Sequence, residues 1–234
     1  MKLSIIIPVY NEKSTIKEVL QRLAAVDLSS LGLERETIIV DDKSTDGTRE
    51  ILETVAGSQN GEEVRVMYHK ENKGKGAAIR TGVEGATGDI VAIQDADLEY
   101  DPREFKVLLR PITEGRSSVV YGSRFLKKNP CIYMRYNLGN RFLSFLVSIL
   151  FGSRITDSYT CHKVMKRDIF KGLALQSSGF EVEAEITSKL LKAGHSILEV
   201  PISYNPRTLE AGKKINWKDA VSGVITILKI RFKE

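Results

Sequence analysis

Two carboxylates one residue apart, Asp95 and Asp97, follow directly on the apolar run Ile90–Gln94. At the end of a strand they would repel each other unless something positive lay between or beside them. A hard divalent cation meets that need, because Mg²⁺ or Mn²⁺ takes carboxylate oxygens together with the oxygens of a diphosphate. A metal bridging two phosphates stabilises the charge that builds on a departing nucleotide diphosphate. Glu99, two residues further on, has the spacing to add a third oxygen. An Asp-x-Asp pair alone is common in solvated loops, so its meaning depends on what stands at the neighbouring strand ends.

Those ends are polar in every case. The first apolar run leads into Pro8-Val9-Tyr10-Asn11-Glu12, the second into Asp41-Asp42-Lys43-Ser44-Thr45-Asp46-Gly47-Thr48, and a later one into Gly122-Ser123-Arg124. Asp46 or Thr48 can cap a following helix, with Gly47 easing the turn. Capping leaves Asp41 and Asp42 unexplained, and paired charges at a sheet edge suit the ribose or base of a ligand. Asn72-Lys73-Gly74-Lys75-Gly76-Ala77-Ala78 follows a strand and opens a helix, but it lacks both the third glycine of a dinucleotide fingerprint and the Lys-Ser/Thr pair of a P-loop. Dehydrogenase and P-loop kinase are therefore rejected. The small residues let the helix pack close to the sheet, with Lys75 in reach of a ligand.

The elements that must hold these groups are legible from periodicity. Short β-branched runs at Ser4–Val9, Thr37–Val40, Val64–Tyr68, Ile90–Gln94 and Ser118–Tyr121 alternate with helical stripes. The stripes are Ile16, Val19, Leu20 and Leu23; Ile51, Leu52 and Val55; and Phe105, Leu108, Leu109 and Ile112. This alternation predicts an α/β fold with a mostly parallel central sheet covered on both faces. In such a sheet ligands bind beyond the carboxyl ends of the strands, where the polar clusters lie. After residue 135 come a long apolar helix, an irregular stretch near Thr156–His162, a helical run Glu181–Ala193 and a strand at Ser196–Pro201. We read residues 1–210 as one catalytic domain and 211–234 as a C-terminal amphipathic helix. For Trp217–Phe232 two readings stay open, a helix closing the domain and a basic amphipathic segment on a membrane surface.

Composition narrows the class. The chain has 234 residues, 42% hydrophobic and 28% charged, enough for one sizeable core. Its net charge of +5 is modest, and no dense basic face interleaved with aromatics is visible, so nucleic acid is not an expected partner. Two cysteines, Cys131 and Cys161, are too few for a disulfide framework and imply a reducing, cytosolic compartment. No signal peptide is visible, and the longest apolar stretch, Phe142–Phe151, falls short of the roughly 20 residues a spanning helix needs.

The ordered set of motifs resembles the inverting family-two glycosyltransferases, and within them the dolichyl-phosphate mannose synthase and polyprenyl-phosphate glucosyltransferase group. The resemblance continues through Phe180–Ile186, Glu199-Val200-Pro201-Ile202 and the Arg207 to Lys214 segment, and so covers nearly the whole chain. It implies a nucleotide-sugar transferase domain of the GT-A type. In it, Pro8, Tyr10, Glu12, Asp42 and Asp46 surround the nucleotide, and Asp95, Ala96 and Asp97 meet the diphosphate through Mg²⁺ or Mn²⁺, with Glu99 assisting. Position 99 is often Gln in relatives associated with mannosyl transfer. By the same resemblance Arg124 meets phosphate, Arg135 is a further acceptor contact, and Arg207 with Lys213 or Lys214 matches a C-terminal loop that closes over donor and acceptor phosphates. Where relatives carry Gly-Phe-Arg or Gly-Tyr-Lys, this chain has Cys161-His162-Lys163.

The activity implied is transfer of a hexose, with inversion, from a GDP-mannose or UDP-glucose class donor to a polyprenyl or dolichyl phosphate. Such an acceptor is already an oxyanion near neutral pH and needs orientation and charge neutralisation rather than a strong base. A saccharide hydroxyl acceptor is the alternative. Asp157 lies where hydroxyl-directed relatives place a base, although bracing the Ser158–His162 turn is its expected role. A nucleotidyltransferase would want an early Gly-rich Arg-Lys signature that is absent, and a non-catalytic module would not need both metal aspartates. In Leu138–Phe151 the face Leu143, Leu146, Val147, Leu150 and Phe151, flanked by Arg135 and Arg141, suits an interfacial helix near a prenyl chain. The expectation is a cytoplasmic protein held peripherally on the cytoplasmic membrane face, directly or through a separate membrane partner.

Overall fold

Leu3, Ile5, Ile6 and Ile7 are all fully buried, so the strand they form, β1 (Lys2–Val9), must be covered on both faces. A computed structural model describes residues 1–59, 62–208 and 217–233. Around β1 it assembles β2 (Glu34–Asp41), β3 (Gly57–Gln59), β4 (Glu62–Tyr68), β5 (Ile90–Ile93), β6 (Val119–Ser123), β7 (Lys163–Lys166) and β8 (Leu198–Pro201). They form one eight-stranded sheet in the order β3-β4-β2-β1-β5-β7-β6-β8. The sheet is parallel apart from β3, which runs against β4, and β7, which runs against both β5 and β6. The sequence pattern reveals neither exception. β3 and β7 are only three and four residues long, and lysines at both ends of β7 mask its apolar centre.

One face of the sheet is covered by α1 (Ile16–Ala24), α2 (Thr48–Val55) and α4 (Phe105–Thr113), whose Ile16, Leu23, Leu52, Phe105 and Leu108 join Ile5 and Ile7 in one core. The other is covered by α3 (Lys75–Gly85), α6 (Arg167–Gly172) and α7 (Val182–Lys192), with Ile79, Phe170 and Ile186 against Ile6, Val91 and Tyr121. The stripes read from the sequence on α1, α2 and α4 are those that pack.

The remaining helices, α5 (Met134–Phe151) and α8 (Trp217–Phe232), stack on α7 and enclose a smaller core of Leu143, Val147, Tyr159, Ala184 and Ile227. The face of α5 expected to meet lipid is thus the face that packs inward: Leu143 and Val147 are buried and Leu146, Leu150 and Phe151 pack against them. The apolar side chains left exposed lie on the opposite side, Met134, Leu138, Phe142, Phe145 and Ile149. α8 repeats the arrangement, burying Ile227 and Ile230 while Trp217, Val221, Ile225, Leu228 and Phe232 stay exposed. Both helices are apolar on two sides, so periodicity alone could not choose the packed one. No helix among the described residues is long and apolar enough to cross a membrane.

Opposite the strand ends that carry the polar clusters, Glu36 ties the sheet together. Its fully buried carboxylate accepts from Ser4 Oγ, from Thr87 N at 2.7 Å, from Gly88 N at 3.1 Å and from Arg65 Nη2 at 2.7 Å, with Lys2 Nζ at 3.0 Å. Burial pushes this acid up, but the Ser4, Thr87 and Lys2 donors outweigh it and hold the pKa at about 2, against an ordinary 4.5. The folded state therefore binds this proton more weakly than the unfolded chain. The stabilisation is complete above about pH 5 and is lost as pH falls towards 2. At about 1.4 kcal/mol per pKa unit the loss is about 3 kcal/mol. Denaturant unfolding of wild type and Glu36→Gln between these pH values should show the variant with a correspondingly flatter acid slope. Parallel slopes would remove Glu36 as the acid-sensitive strut.

Candidate active site

The carboxyl ends of β1, β2, β4, β5 and β6 point to one edge of the sheet, and β7, running the other way, delivers its amino end there. Cys161, His162 and Lys163 thereby join Glu12, Asp42, Asp95, Asp97 and Arg124. The exits of β1 and β2 interlock: Asn11 sits at φ 51°, a conformation asparagine tolerates, donates through N to Ser44 Oγ at 2.9 Å and accepts from Thr45 N at 2.8 Å.

A cavity of about 320 Å³ is lined by Pro8, Tyr10, Glu12, Asp42, Asn72, Gly74, Lys75, Asp95, Ala96, Asp97 and Arg207 among others. Of the residues the resemblance assigns to the nucleotide, only Asp46 stands apart. Its carboxylate is spent on Thr48 N at 3.0 Å and Lys13 N at 3.1 Å, capping α2 and tethering the β1 exit. Asp42 is partly engaged too, accepting from Lys73 N at 2.8 Å, Gly74 N at 2.7 Å and His69 Nδ1 at 2.7 Å. It thus folds the 72–74 loop over the cavity. Gly74 and Gly76 are required by another neighbour than the sheet: a Cβ on either would strike the backbone of Ser177 or Ser178, and Gly76 N donates to Ser178 O at 2.7 Å.

A second cavity, of about 680 Å³, opens on the other side of the aspartates and carries Arg124, Lys127, Lys128, Arg135 and Arg141 with Phe125, Tyr133, Tyr136 and Trp217. Lys75, Asp95, Asp97, Phe180 and Arg207 line both cavities. At this junction Lys75 Nζ lies 2.7 Å from Asp95 Oδ1, and Arg207 reaches Asp97 Oδ2 and Glu12 Oε1 at 3.1 Å each. Glu99 accepts from Tyr204 Oη at 2.9 Å and Arg207 N at 2.8 Å. Lys213 and Lys214 lie outside the described residues.

The charges at the junction do not balance. Burial, Asp95 and Glu99 push the Asp97 carboxyl up to about 7, with Arg207 pulling the other way. Burial pushes Asp95 up, but Lys75 and Cys161 together outweigh it and hold the carboxyl below its ordinary range. Asp97 is thus short of positive charge, and a divalent cation fits that deficit. Among the described residues no group of three or more His, Cys, Asp or Glu side chains is gathered for a metal. The aspartates would hold it with oxygens supplied by the diphosphate.

Arg124 is not free in the larger cavity. It donates from Nε to Asp157 Oδ2 and from Nη2 to Asp157 Oδ1, both at 2.7 Å, and Asp157 is fully buried. Asp157 braces Arg124, through its N, Nε and Nη2, rather than the Ser158–His162 turn expected from the sequence, and a carboxylate so paired is poorly placed to act as a base. Arg135 stacks over Tyr133 and Tyr136 at 5.6 and 5.0 Å. Sequence reasoning missed the support beneath the junction. Glu183, nearly buried, faces Lys75 Nζ at 3.0 Å and is paired with the fully buried Lys163, and Lys75 Nζ also lies 3.0 Å from Cys161 Sγ. The Glu-x-Glu-x-Glu run of α7 was the available signal, since a charged residue at every second position cannot all face solvent on one helix.

Chain comparisons agree with this geometry. The family model for glycosyl transferase family 2 matches residues 4–173. Dolichol-phosphate mannosyltransferase of Pyrococcus furiosus is 29% identical over 212 residues, covering 88% of this chain and 57% of its own. Glycosyltransferase AglJ of Haloferax volcanii is 32% identical over 205 residues, covering 87% and 63%. The chain therefore spans about 60% of the length of these relatives. Among solved structures, glucosyl-3-phosphoglycerate synthase from Mycobacterium tuberculosis, crystallised with Mn²⁺, uridine diphosphate and glucosyl-3-phosphoglycerate, superposes with a TM-score of 0.72 at 19% identity, over 98% of this chain and 80% of that one. TarS of S. aureus with UDP-GlcNAc gives 0.66 at 20% identity, over 98% and 66%. At such identities the likeness is one of fold, which is of the GT-A type. With a family model matched across most of a chain whose strand ends gather two aspartates between two cavities, the protein belongs to glycosyl transferase family 2.

Proposed function

We propose that the chain transfers a hexose from a nucleotide-diphosphate sugar to a polyprenyl phosphate, with inversion and with Mg²⁺ or Mn²⁺. One observation carries the reading: the two cavities meet at Lys75, Asp95, Asp97, Phe180 and Arg207. The smaller, with Asp42 and Glu12, suits the nucleotide. The larger pairs cationic side chains with aromatic ones, the chemistry of an anionic head on an apolar tail.

An acceptor phosphate oxygen attacks the anomeric carbon from the face opposite the leaving group, a new C–O bond forms, and the bond to the donor β-phosphate breaks with its electron pair leaving on the nucleoside diphosphate. Asp95 and Asp97 would hold the cation, which neutralises charge on the departing diphosphate. Arg207 and Lys75 orient the groups at the junction, and the acceptor, already ionised, needs no general base. The burial of Asp157 weighs against a hydroxyl acceptor. The name of the P. furiosus relative supports a dolichol-phosphate acceptor, and the ions bound by the solved neighbours support the metal. The exposed stripes of α5 and α8, beside Arg141 and Arg231, suit peripheral seating on a lipid surface, alone or against a separate membrane partner.

The test is transfer from a panel of radiolabelled nucleotide sugars, with Mg²⁺ or Mn²⁺, to a polyprenyl phosphate in detergent, scored as label entering the organic phase. Label from one donor, lost on chelation, is expected. No label from any donor, alongside metal-dependent nucleotide binding, would move the acceptor to a saccharide hydroxyl.

A further inference from the structure

Beneath the aspartates lies a polar pair that plays no part in the proposed transfer. Gln94 and His162 are both fully buried. Gln94 directly follows β5 and precedes Asp95, and its Nε2 donates to Asp95 O at 3.0 Å and Tyr100 O at 3.3 Å. Those carbonyls stand at the two ends of the loop that holds Asp95, Asp97 and Glu99. With the amide so used, Oε1 is the acceptor, and the proton shared with His162 must sit on His162 Nε2, 3.0 Å away. The imidazole is clamped between Tyr100 and Phe105, ring centroids 4.9 and 5.1 Å away, and its Nδ1 has no partner. Burial lowers the His162 pKa to about 4, so the ring is neutral. A phenyl ring would fill this pocket without an orphaned nitrogen, so what histidine adds is the single hydrogen bond to Gln94.

We infer that His162 is a positioning residue: by fixing Gln94 it ties together both ends of the loop 95–100 and so sets the aim of the Asp95 and Asp97 carboxylates at the metal-diphosphate site. Without its donor, Gln94 Oε1 becomes a buried acceptor with no partner. The amide then gains by turning, which releases one of the two carbonyls. Asp97 moves with the loop, because its Oδ1 is fixed to Glu99 N at 3.0 Å. Groups that orient metal ligands from behind change metal affinity by about 10-fold or more when removed. The inference rests on the proposed binding of a metal by the two aspartates.

The test is titration of the full chain with Mn²⁺ in the presence of GDP or UDP, read by the Mn²⁺ electron paramagnetic signal, with thermal melts alongside. His162→Phe should weaken Mn²⁺ binding by about 10-fold, while His162→Gln, which can restore an N–H to Gln94, should stay within about 3-fold of wild type. Equal Mn²⁺ affinity in His162→Phe and wild type, or equal loss in Phe and Gln variants, would overturn the inference. If His162→Phe does not fold, Gln94→Met/His162→Phe removes both side-chain partners together, so no buried side-chain oxygen is left unpaired, while Asp95 O and Tyr100 O lose the Gln94 donor. Weak Mn²⁺ binding by that folded double variant supports the brace, and wild-type affinity overturns it. A wild-type chain that takes up no Mn²⁺ with either nucleotide would instead sink the metal reading, and this inference with it.

Discussion

Asp97→Asn should reduce transfer by on the order of 10³-fold while leaving the melting temperature unchanged or raised. The two effects have one cause. Burial, Asp95 and Glu99 all penalise a charge on Asp97, which Arg207 only partly offsets. Asparagine keeps the shape and an oxygen to accept from Glu99 N, but removes the charge, so the fold is relieved of a repulsion that the proposed cation would otherwise offset. A site kept at the expense of stability is what a stability–activity trade-off predicts. Turnover by the label-transfer assay and melting by calorimetry check the two halves. Retained turnover would remove Asp97 from the metal site. A melting temperature several degrees lower would make its carboxylate a structural strut.

Much of this arrangement is legible in the order of residues alone. Asp95 and Asp97 stand out because an apolar strand delivers two charges to one point, and Asp42 and Glu12 because their strands end likewise. What stays hidden depends on topology or on choosing between equivalent faces. β7 brings Cys161, His162 and Lys163 to the junction only because it runs antiparallel, and a four-residue strand between lysines gives no period to detect. Glu183 and Lys163 become partners across 20 positions of chain, which no local pattern encodes. Asp46 is the opposite case, a motif residue whose carboxylate is taken up locally by Thr48 and Lys13. For α5 and α8 the apolar content is plain and the packed face is not, because both sides are apolar.

Arg124→Ala should cost about 3–5 kcal/mol of stability, the expected penalty when one partner of a buried ion pair is removed and the other charge stays behind. Asp157 is fully buried, and both its oxygens are bound by the guanidinium, which also lies 5.1 Å from the Tyr204 ring. Loss of transfer in this variant would therefore not assign Arg124 to a phosphate, since a collapsed cavity wall gives the same result. Arg124→Ala/Asp157→Asn separates the roles, because it leaves no unpaired charge and should recover most of the lost stability. If transfer stays low in that refolded double variant and the acceptor KM is raised, the guanidinium meets phosphate as well as bracing Asp157. If transfer returns, Arg124 is a brace alone, and the charge of the proposed phosphate acceptor falls to Arg135, Lys127 or Lys128, which line the same cavity.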